Sequence, residues 1–213
     1  MSEAPVDAGE GDADEREGAD AGVPTRADLG VPDWEDEYLD RVADRLLHNY
    51  DLEDDYALGG ERFDLYGEMR IESRKHFLHP SVTYGNHGSS EYLYARTSSS
   101  VTTADLERLV ALGHDLAEGI DPDEEHFSTD YTFALVVPEI PEAVRAFVDG
   151  FEDRTLLRYG YYGHYEVNLL VVAPDEEDLV ASANADVEGA FRLWEGDEPR
   201  RGLVGRLAGL FGR

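Results

Sequence analysis

Negative charge is the feature that most constrains this chain. Of its 213 residues, 48 are Asp or Glu and 18 are Lys or Arg, so the formal net charge is −30. A folded monomer of 23.7 kDa exposes roughly 9,800 Å² of surface, or about 330 Å² for each net charge. Such a molecule repels nucleic acid and anionic membrane at ordinary salt, and its self-repulsion opposes a compact state. We therefore expect no nucleic-acid partner.

The basic residues are almost all arginine, because Lys75 is the one lysine in the chain. Extreme acidity with almost no lysine resembles the proteins of archaea that keep molar salt in their cytoplasm. Salt at 1 M shortens the Debye length to about 3 Å, so neighbouring carboxylates no longer repel one another strongly. The composition predicts a halophilic, cytoplasmic protein that holds a shell of K⁺ and water.

The chain has no cysteine, which excludes a disulfide scaffold, a thiol nucleophile and a Cys-ligated zinc site. It also has no run of 18 apolar residues, and its first residues are acidic rather than basic and then apolar. We therefore expect neither a transmembrane helix nor a secretory signal. No cofactor-binding motif is present, since the glycine patterns of nucleotide-binding loops are missing.

Composition divides the chain into three parts. Residues 1–31 hold nine acids and two arginines with few large apolar residues, which predicts a disordered acidic tail. Residues 32–197 carry regular hydrophobic spacing and are predicted to form one globular domain. Residues 198–213 form a basic amphipathic tail.

Hydrophobic spacing assigns elements along the domain. A helix is predicted over 33–49, strands over 62–72, 75–84 and 91–98, and a helix that begins with the capping box Thr102-x-x-Asp105. A buried strand over 131–137, a helix over 141–150 and strands over 155–162 and 165–173 follow, and then a helical segment from Pro174 and a short strand over 191–194. Residues 138–154 are long enough for a parallel crossover. The predicted fold is α+β: a single mixed, mainly antiparallel sheet with helices packed on it and one βαβ crossover.

Cations gather in the first half of this sheet. Arg70, Arg74, Lys75 and Arg96 form a candidate site for a phosphate or carboxylate group. In a chain this acidic, we favour the alternative that they make ion pairs with neighbouring acids such as Glu68, Glu72 and Glu91.

Histidines are the remaining metal-ligand candidates. His76, His79 and His87 lie close in sequence, and Glu91 or His164 would have to complete a site. His76 and His79 point to opposite faces of a strand because they are three residues apart. We therefore predict no metal site.

Tyrosines are densest in the segment Tyr159-Gly-Tyr-Tyr-Gly-His-Tyr165. We interpret them as cross-strand packing pairs of a hairpin, and a small neutral ligand that stacks on the rings is left open.

The predicted element order resembles the core of restriction-endonuclease-like nucleases, and residues 133–145 are similar to the strand-then-helix segment of that fold. The resemblance implies an Asp, for which Asp64 is the candidate, followed by an acid-x-Lys pair that holds a metal. This chain has Tyr94-Ala-Arg96 at that place, and Glu72 and Lys75 have a different spacing. The resemblance thus extends to the fold and not to the activity. Residues 32–41 also resemble uncharacterised haloarchaeal proteins of unknown function.

The last 14 residues carry four arginines and no acid. On a helical wheel their large apolar residues occupy one arc: Leu203, Val204, Leu207, Leu210 and Phe211. This pattern is typical of a helix that lies on a membrane surface or docks into a partner, and a tail folded onto its own acidic domain is a third interpretation.

We interpret the chain as a cytoplasmic, non-catalytic interaction module whose tail engages a protein partner or the membrane surface. The alternative is a hydrolase or degenerate nuclease-like enzyme that uses the sheet region 64–96, with Asp64, Glu72 and Lys75 as its catalytic residues.

Overall fold

The computed structural model describes residues 26–73 and 87–196. Seven strands in these ranges form one sheet: β1 Asp51–Leu58, β2 Glu61–Ser73, β3 His87–Thr97, β4 His126–Val136, β5 Arg154–Leu156, β6 His164–Ala173 and β7 Asp178–Ala181. The strand order is β1-β2-β3-β4-β6-β5, and β7 also pairs with β6. Most of both predicted tails and the strand predicted over 75–84 lie outside the described residues.

Five α-helices accompany the sheet in the described ranges: α1 Arg26–Leu29, α2 Glu37–Leu46, α3 Thr103–Ala117, α4 Glu142–Asp149 and α5 Glu188–Phe191. The prediction of an α+β domain with one mixed sheet is confirmed. Over residues 26–73 and 87–196, no helix combines the length and the apolar character needed to cross a membrane.

Two parallel pairings lie at the centre of the sheet. β3 pairs with β4 and β4 pairs with β6 in parallel, whereas the other pairings are antiparallel. A crossover through α4 is present, but it joins β4 to β6, because β5, the strand directly after α4, is antiparallel to β6. The structure adds a second crossover through α3, because the helix and its loops are long enough to return the chain to the same end of the sheet. Successive right-handed crossovers in one direction place both helices on the same face.

Each face of the sheet has its own hydrophobic core. On one face, α3 and α4 cover a core that includes Phe133 and Leu169, and α2 and α5 cover the opposite core that includes Leu93 and Leu170. Alternate residues of a strand point to opposite faces, and strands covered on both faces are apolar almost throughout. This explains the continuous apolar runs of β4 and β6.

The described structure begins six residues before the predicted start of the domain. Arg26 at the start of α1 pairs with the Asp40 carboxylate of α2 at 2.8 Å, and its guanidinium lies 5.5 Å from the centre of the Trp34 ring. Asp36 caps α2 and accepts hydrogen bonds from the backbone amides of Tyr38 and Leu39, an arrangement that satisfies two otherwise free donors.

Three local predictions are corrected by the structure. β1 was not predicted, because it is an acidic edge strand in which only Leu52 is buried. Residues 174–176 form one short 3₁₀ turn, and a strand, β7, follows it rather than a helix. Residues 188–191 are helical and lead into a turn, so the strand predicted over 191–194 is wrong.

Candidate functional site

The described residues of the sequence-predicted sites have structural partners. The Asp64 carboxylate accepts a hydrogen bond from the Thr97 amide at 2.7 Å, and the Asp64 carbonyl accepts one from the Trp34 indole. Arg96 pairs with Glu61 on the neighbouring strand and lies over the Phe63 ring. These contacts join β2 to β3 and to the segment that precedes α2, at the carboxyl end of β3.

Arg70 lies far from Arg96. Its guanidinium is exposed and donates to Glu68 at 2.5 Å. Arg70 faces Ser90 in register, six residues before Arg96, which corresponds to about 20 Å along a strand. The two arginines are therefore not brought together. Glu72 lies in β2 opposite Gly88, and the side chain of Glu72, with Arg74, Lys75 and the apolar residues of the C-terminal tail, lies outside the described residues.

A different group of acids lies across the middle of the sheet. Glu91 of β3, Asp130 of β4 and Glu166 of β6 are direct register partners. Adjacent strands are about 4.8 Å apart, and register partners point to the same face, so the three carboxylates share one row. We call these three residues the carboxylate row. Arg154 of β5 continues it, opposite Glu166.

The row lies where the face that packs under α2 and α5 changes from apolar to polar. Towards the carboxyl ends of β4 and β6 this face carries Ala134 and Leu170, whereas Thr132, Asn168 and Ser128 are polar residues buried beside the row. The Tyr50 hydroxyl donates to Glu91 at 2.7 Å. One carboxylate oxygen of Asp130, Oδ1, is buried without a hydrogen-bond partner in the described structure.

The three carboxylates differ in their affinity for a proton. Burial, followed by repulsion from Glu166, Glu91 and Asp186, raises the pKa of Asp130 to about 7. Burial also raises the pKa of Glu91. His164, which donates to Glu166, and Arg154 nearby hold the pKa of Glu166 below its usual value. A protonated Asp130 beside an ionised Glu166 is the arrangement from which general acid and general base roles arise.

The row does not have the geometry of a metal centre. No group of three or more His, Asp or Glu side chains in residues 26–73 and 87–196 is placed to hold a metal ion. His164 instead lies between Glu166, with its Nε2 3.4 Å from that carboxylate, and the Arg154 guanidinium, 3.2 Å from its Nδ1. The histidines at 76 and 79 lie outside the described residues.

The tyrosine-rich segment was predicted to form packed cross-strand pairs, but in the structure it forms an exposed loop. β5 ends at Leu156, and the chain then makes a tight turn before β6 starts at His164. Tyr159 is 97% exposed, Tyr161 is 87% exposed and Leu156 is 60% exposed. We call residues 156–163 the tyrosine loop. The rings project from it because three consecutive left-handed residues, Arg158, Tyr159 and Gly160, reverse the chain too sharply for the hairpin to continue.

Contacts with the start of β4 hold the tyrosine loop in place. Gly163 has a φ of +74°, and a Cβ at this position would lie 2.0 Å from the Phe127 carbonyl oxygen. His126 Nδ1 contacts the Tyr162 carbonyl oxygen at 2.7 Å, and the Leu157 amide donates to the Gly163 carbonyl. The loop is therefore packed against β4 at its base, and its tyrosines project at its tip.

Comparison with known proteins places the chain in a family. The model of the family described as Domain of unknown function (DUF8052) matches residues 35–193, which is most of the chain and includes all seven described strands. The chain belongs to this family. No curated protein and no solved structure matches it.

Both sites lie within the DUF8052 domain. Sequence reasoning missed the carboxylate row, and it interpreted the tyrosines as packing pairs rather than as an exposed loop. A signal for the carboxylate row existed, since Asp130 directly precedes the apolar run of β4 and Glu166 lies near the start of the apolar run of β6, and a buried charge without a partner is costly. A signal for the tyrosine loop existed as well. Residues 154–165 contain no acid in a chain of 48 acids, and two glycines divide the tyrosines.

Proposed function

We propose that this DUF8052 protein is a non-catalytic interaction module of a high-salt cytoplasm, and that the tyrosine loop is its contact surface for a protein partner. The observation that carries the proposal is the exposure of Tyr159, Tyr161 and Leu156 on one anchored loop. Tyrosine and arginine are enriched at the energetic centres of protein interfaces. Molar salt makes exposed apolar surface more costly and weakens long-range charge attraction, so such a surface favours contact with a partner.

Three observations support the high-salt setting. The chain carries a net charge of −30, it has a single lysine, and its acids are spread along the whole sequence. At ordinary salt this charge density opposes folding and association alike.

The test compares three tagged full-length chains in a haloarchaeal host: wild type, the double variant Tyr159→Ser/Tyr161→Ser, and Leu29→Ser as a control at another exposed apolar residue. Each host also expresses an untagged wild-type copy of the chain. We expect a defined protein, either a different protein or this untagged copy, to co-purify with wild type and with Leu29→Ser and to be lost from the double variant. The same protein, once purified, should bind the wild-type chain in about 3 M KCl, where nonspecific charge attraction is screened. Equal recovery by all three chains would contradict the proposal.

We further propose that residues 200–213 form a second contact surface, supported by their apolar arc and their four arginines. At molar salt the apolar arc supplies the binding energy, because attraction between arginine and anionic lipid is screened. Leu207→Asp or Phe211→Asp removes a side chain worth about 1.5–3 kcal/mol when buried and should abolish association.

Flotation with archaeal-lipid vesicles and binding to purified partners distinguish the two possible targets of this tail, a membrane and a protein. A full-length chain that floats, while a chain stopped after Pro199 does not, identifies a membrane contact peripheral to the bilayer. Loss of partner binding without any flotation identifies a protein contact. Identical behaviour of the two chains in both assays would contradict a role for the tail.

A second candidate function is a hydrolase, and one specific observation favours it. The carboxylate row contains an acid with a raised pKa, Asp130, beside an acid with a lowered pKa, Glu166. In this hypothesis the proton donor and acceptor lie in the carboxylate row, whereas the hypothesis drawn from the sequence placed the catalytic residues at Asp64, Glu72 and Lys75. Chromogenic esters, phosphates and glycosides at high KCl test it. Turnover that disappears in Asp130→Asn, but persists in the exposed-surface variant Asp54→Asn, would support hydrolysis, and absence of turnover on every substrate class would count against it.

A further inference from the structure

Two surfaces of opposite chemistry lie side by side at the amino ends of β4 and β6. One is the tyrosine loop, which contains no acid and carries Arg158 between its exposed apolar residues. The other is the turn that precedes β4, residues 121–125, whose four acids are all exposed. We call this segment the acidic turn. The two are joined at their bases by the His126 contact to Tyr162 and by the close approach of Gly163 to Phe127.

Arg158 is a cation that has no partner among the described residues, although the molecule is rich in carboxylates. In the described part of the chain, no ion pair or side-chain hydrogen bond involves its guanidinium, whereas most other arginines there have one. Its backbone is left-handed, with a φ of +47°, and so is that of Tyr159, with a φ of +62°. Left-handed conformations cost L-residues free energy. The contacts of Gly163 hold the base of the loop in place, and this lowers the backbone entropy that the loop has to lose on binding.

We propose that the tyrosine loop and the acidic turn together form a self-association surface whose occupant is a second copy of this chain. This inference rests on the proposed function, since it names the partner of the same loop. In a two-fold dimer, each loop packs against the acidic turn of the other copy, and Arg158 faces the carboxylates of Glu124 and Glu125. A two-fold interface requires one surface that is complementary to itself, and adjacent basic and acidic elements meet that requirement.

Salt decides whether such a dimer forms. Two copies with a charge of −30 each repel one another strongly in dilute buffer. At molar salt the repulsion extends over about 3 Å only, while the apolar contacts that the tyrosines make across the interface persist. The dimer should therefore form at high KCl and dissociate as KCl is lowered, which is the reverse of an association driven by charge attraction.

The experiment measures the mass of the full-length chain by sedimentation velocity and light scattering in about 3 M KCl, over about 5 to 300 µM protein. We expect a concentration-dependent dimer. Tyr159→Ser/Tyr161→Ser should raise its dissociation constant about 30-fold or more, the loss expected when interface tyrosines are truncated. Leu29→Ser is the control and should dimerise like wild type. Unfolding midpoints of all variants confirm that each one is folded.

Charge reversal tests the geometry separately. Arg158→Glu and Glu124→Arg should each weaken self-association, because each variant places like charges across both halves of the interface. A mixture of the two should restore a heterodimer, in which residue 158 of each copy faces an opposite charge at residue 124 of the other. Because salt weakens this readout, the mixture is measured at about 1 M KCl as well as at about 3 M.

Several results would overturn the inference. A monomer at every concentration would do so, as would a dimer that tolerates the tyrosine substitutions, or two charge variants that fail to restore each other. If dimerisation is lost when the chain is stopped after Pro199, the C-terminal segment rather than the tyrosine loop forms the dimer contact. Binding of single-stranded RNA to the loop, without self-association, would assign it to nucleic acid. A monomeric chain whose loop variant still loses a different protein partner would overturn the dimer and leave the proposed function standing.

Discussion

Asp130 is an acidic residue at a point where the sheet leaves little water to solvate a charge. Its neighbours in the row, Glu91 and Glu166, are also acids, and the nearest cation in register, Arg154, lies one strand further away, opposite Glu166. The folded chain therefore holds a proton on Asp130 up to about pH 7. The same carboxyl in an unfolded chain loses its proton near pH 4.

The first prediction follows from this difference in proton affinity. Between about pH 4 and pH 7 the folded chain binds more protons at Asp130 than the unfolded chain does, so the free energy of unfolding falls as pH rises through that range. Asp130→Asn should flatten this dependence and exceed wild type in stability at about pH 8.5 by roughly 2–4 kcal/mol. Thermal unfolding at fixed KCl from about pH 5 to pH 8.5 measures it, with the exposed Asp54→Asn as control. Parallel pH profiles for wild type and Asp130→Asn would contradict the buried-proton assignment.

A second prediction at this scale concerns two glycines of the tyrosine loop. Both have positive φ, but a Cβ on Gly160 meets only the Leu156 side chain at 3.7 Å, whereas a Cβ on Gly163 would overlap the Phe127 backbone. Gly160→Ala should cost about 1 kcal/mol, the penalty for a left-handed alanine. Gly163→Ala should cost about 3 kcal/mol or more, because a backbone must move. Denaturant unfolding of both variants is the measurement, and equal costs would show that the loop base is not packed as described.

At the scale of elements, α3 connects two parallel strands and so determines the centre of the sheet. Its start is defined by a reciprocal cap in which Thr102 accepts from the Asp105 amide and Asp105 accepts from the Thr102 amide. Hydrogen bonding to Thr102 is the main reason that the pKa of Asp105 lies below its usual value. On the sheet side, Gly113 of α3 allows Val167 and Phe133 to pack closely against the helix.

The third prediction tests this cap. Thr102→Ala should lower the free energy of unfolding by about 1 kcal/mol, because it leaves a helix-terminal amide unsatisfied. The adjacent Thr103 is the first residue of α3 and takes no part in the cap, so Thr103→Ala is the matched control and should change stability by no more than about 0.5 kcal/mol. Chemical denaturation at constant KCl compares them. A larger loss for Thr103→Ala than for Thr102→Ala would place the helix start elsewhere.

For the whole molecule, net charge and fold oppose each other. The described ion pairs, such as Arg26 with Asp40 and Arg145 with Asp178, engage most of the described arginines, and many acids are left to solvent. Exposed pairs add little stability individually. The sheet and its two cores must therefore overcome a long-range repulsion that only salt removes.

The fourth prediction is that the thermal unfolding midpoint rises by many degrees between about 0.1 and 3 M KCl. The physical reason is that salt screens the repulsion between carboxylates. This repulsion destabilises the folded state more than the unfolded state, because the folded state holds the same charge in a smaller volume. Scanning calorimetry across the salt series is the measurement. A midpoint that stays constant or falls would contradict the halophilic interpretation.

Periodic hydrophobic spacing was enough to predict most elements of the fold, because a period of two residues in strands and of about 3.6 residues in helices is a local property of the chain. The start of α3 was identified from its capping box, and β4 was identified from its continuous apolar run, which are equally local signals. The net charge, and the salt dependence that we predict from it, likewise follow from the composition alone. These inferences need only the residues themselves and their immediate neighbours.

Three further features depended on the tertiary structure. Glu91, Asp130 and Glu166 are distant in sequence, and only strand order and register bring them into one row. The tyrosines at 159 and 161 are compatible with a hairpin by pattern, but the backbone turns before they can pair. The second crossover depends on which strands become neighbours. The packing of α3 and α4 on the same face of the sheet determines which strands pair. Local pattern sets which elements form and which of their faces are apolar. The partners of those faces are determined only when the whole sheet has assembled, because pairing is a contact between residues far apart along the chain.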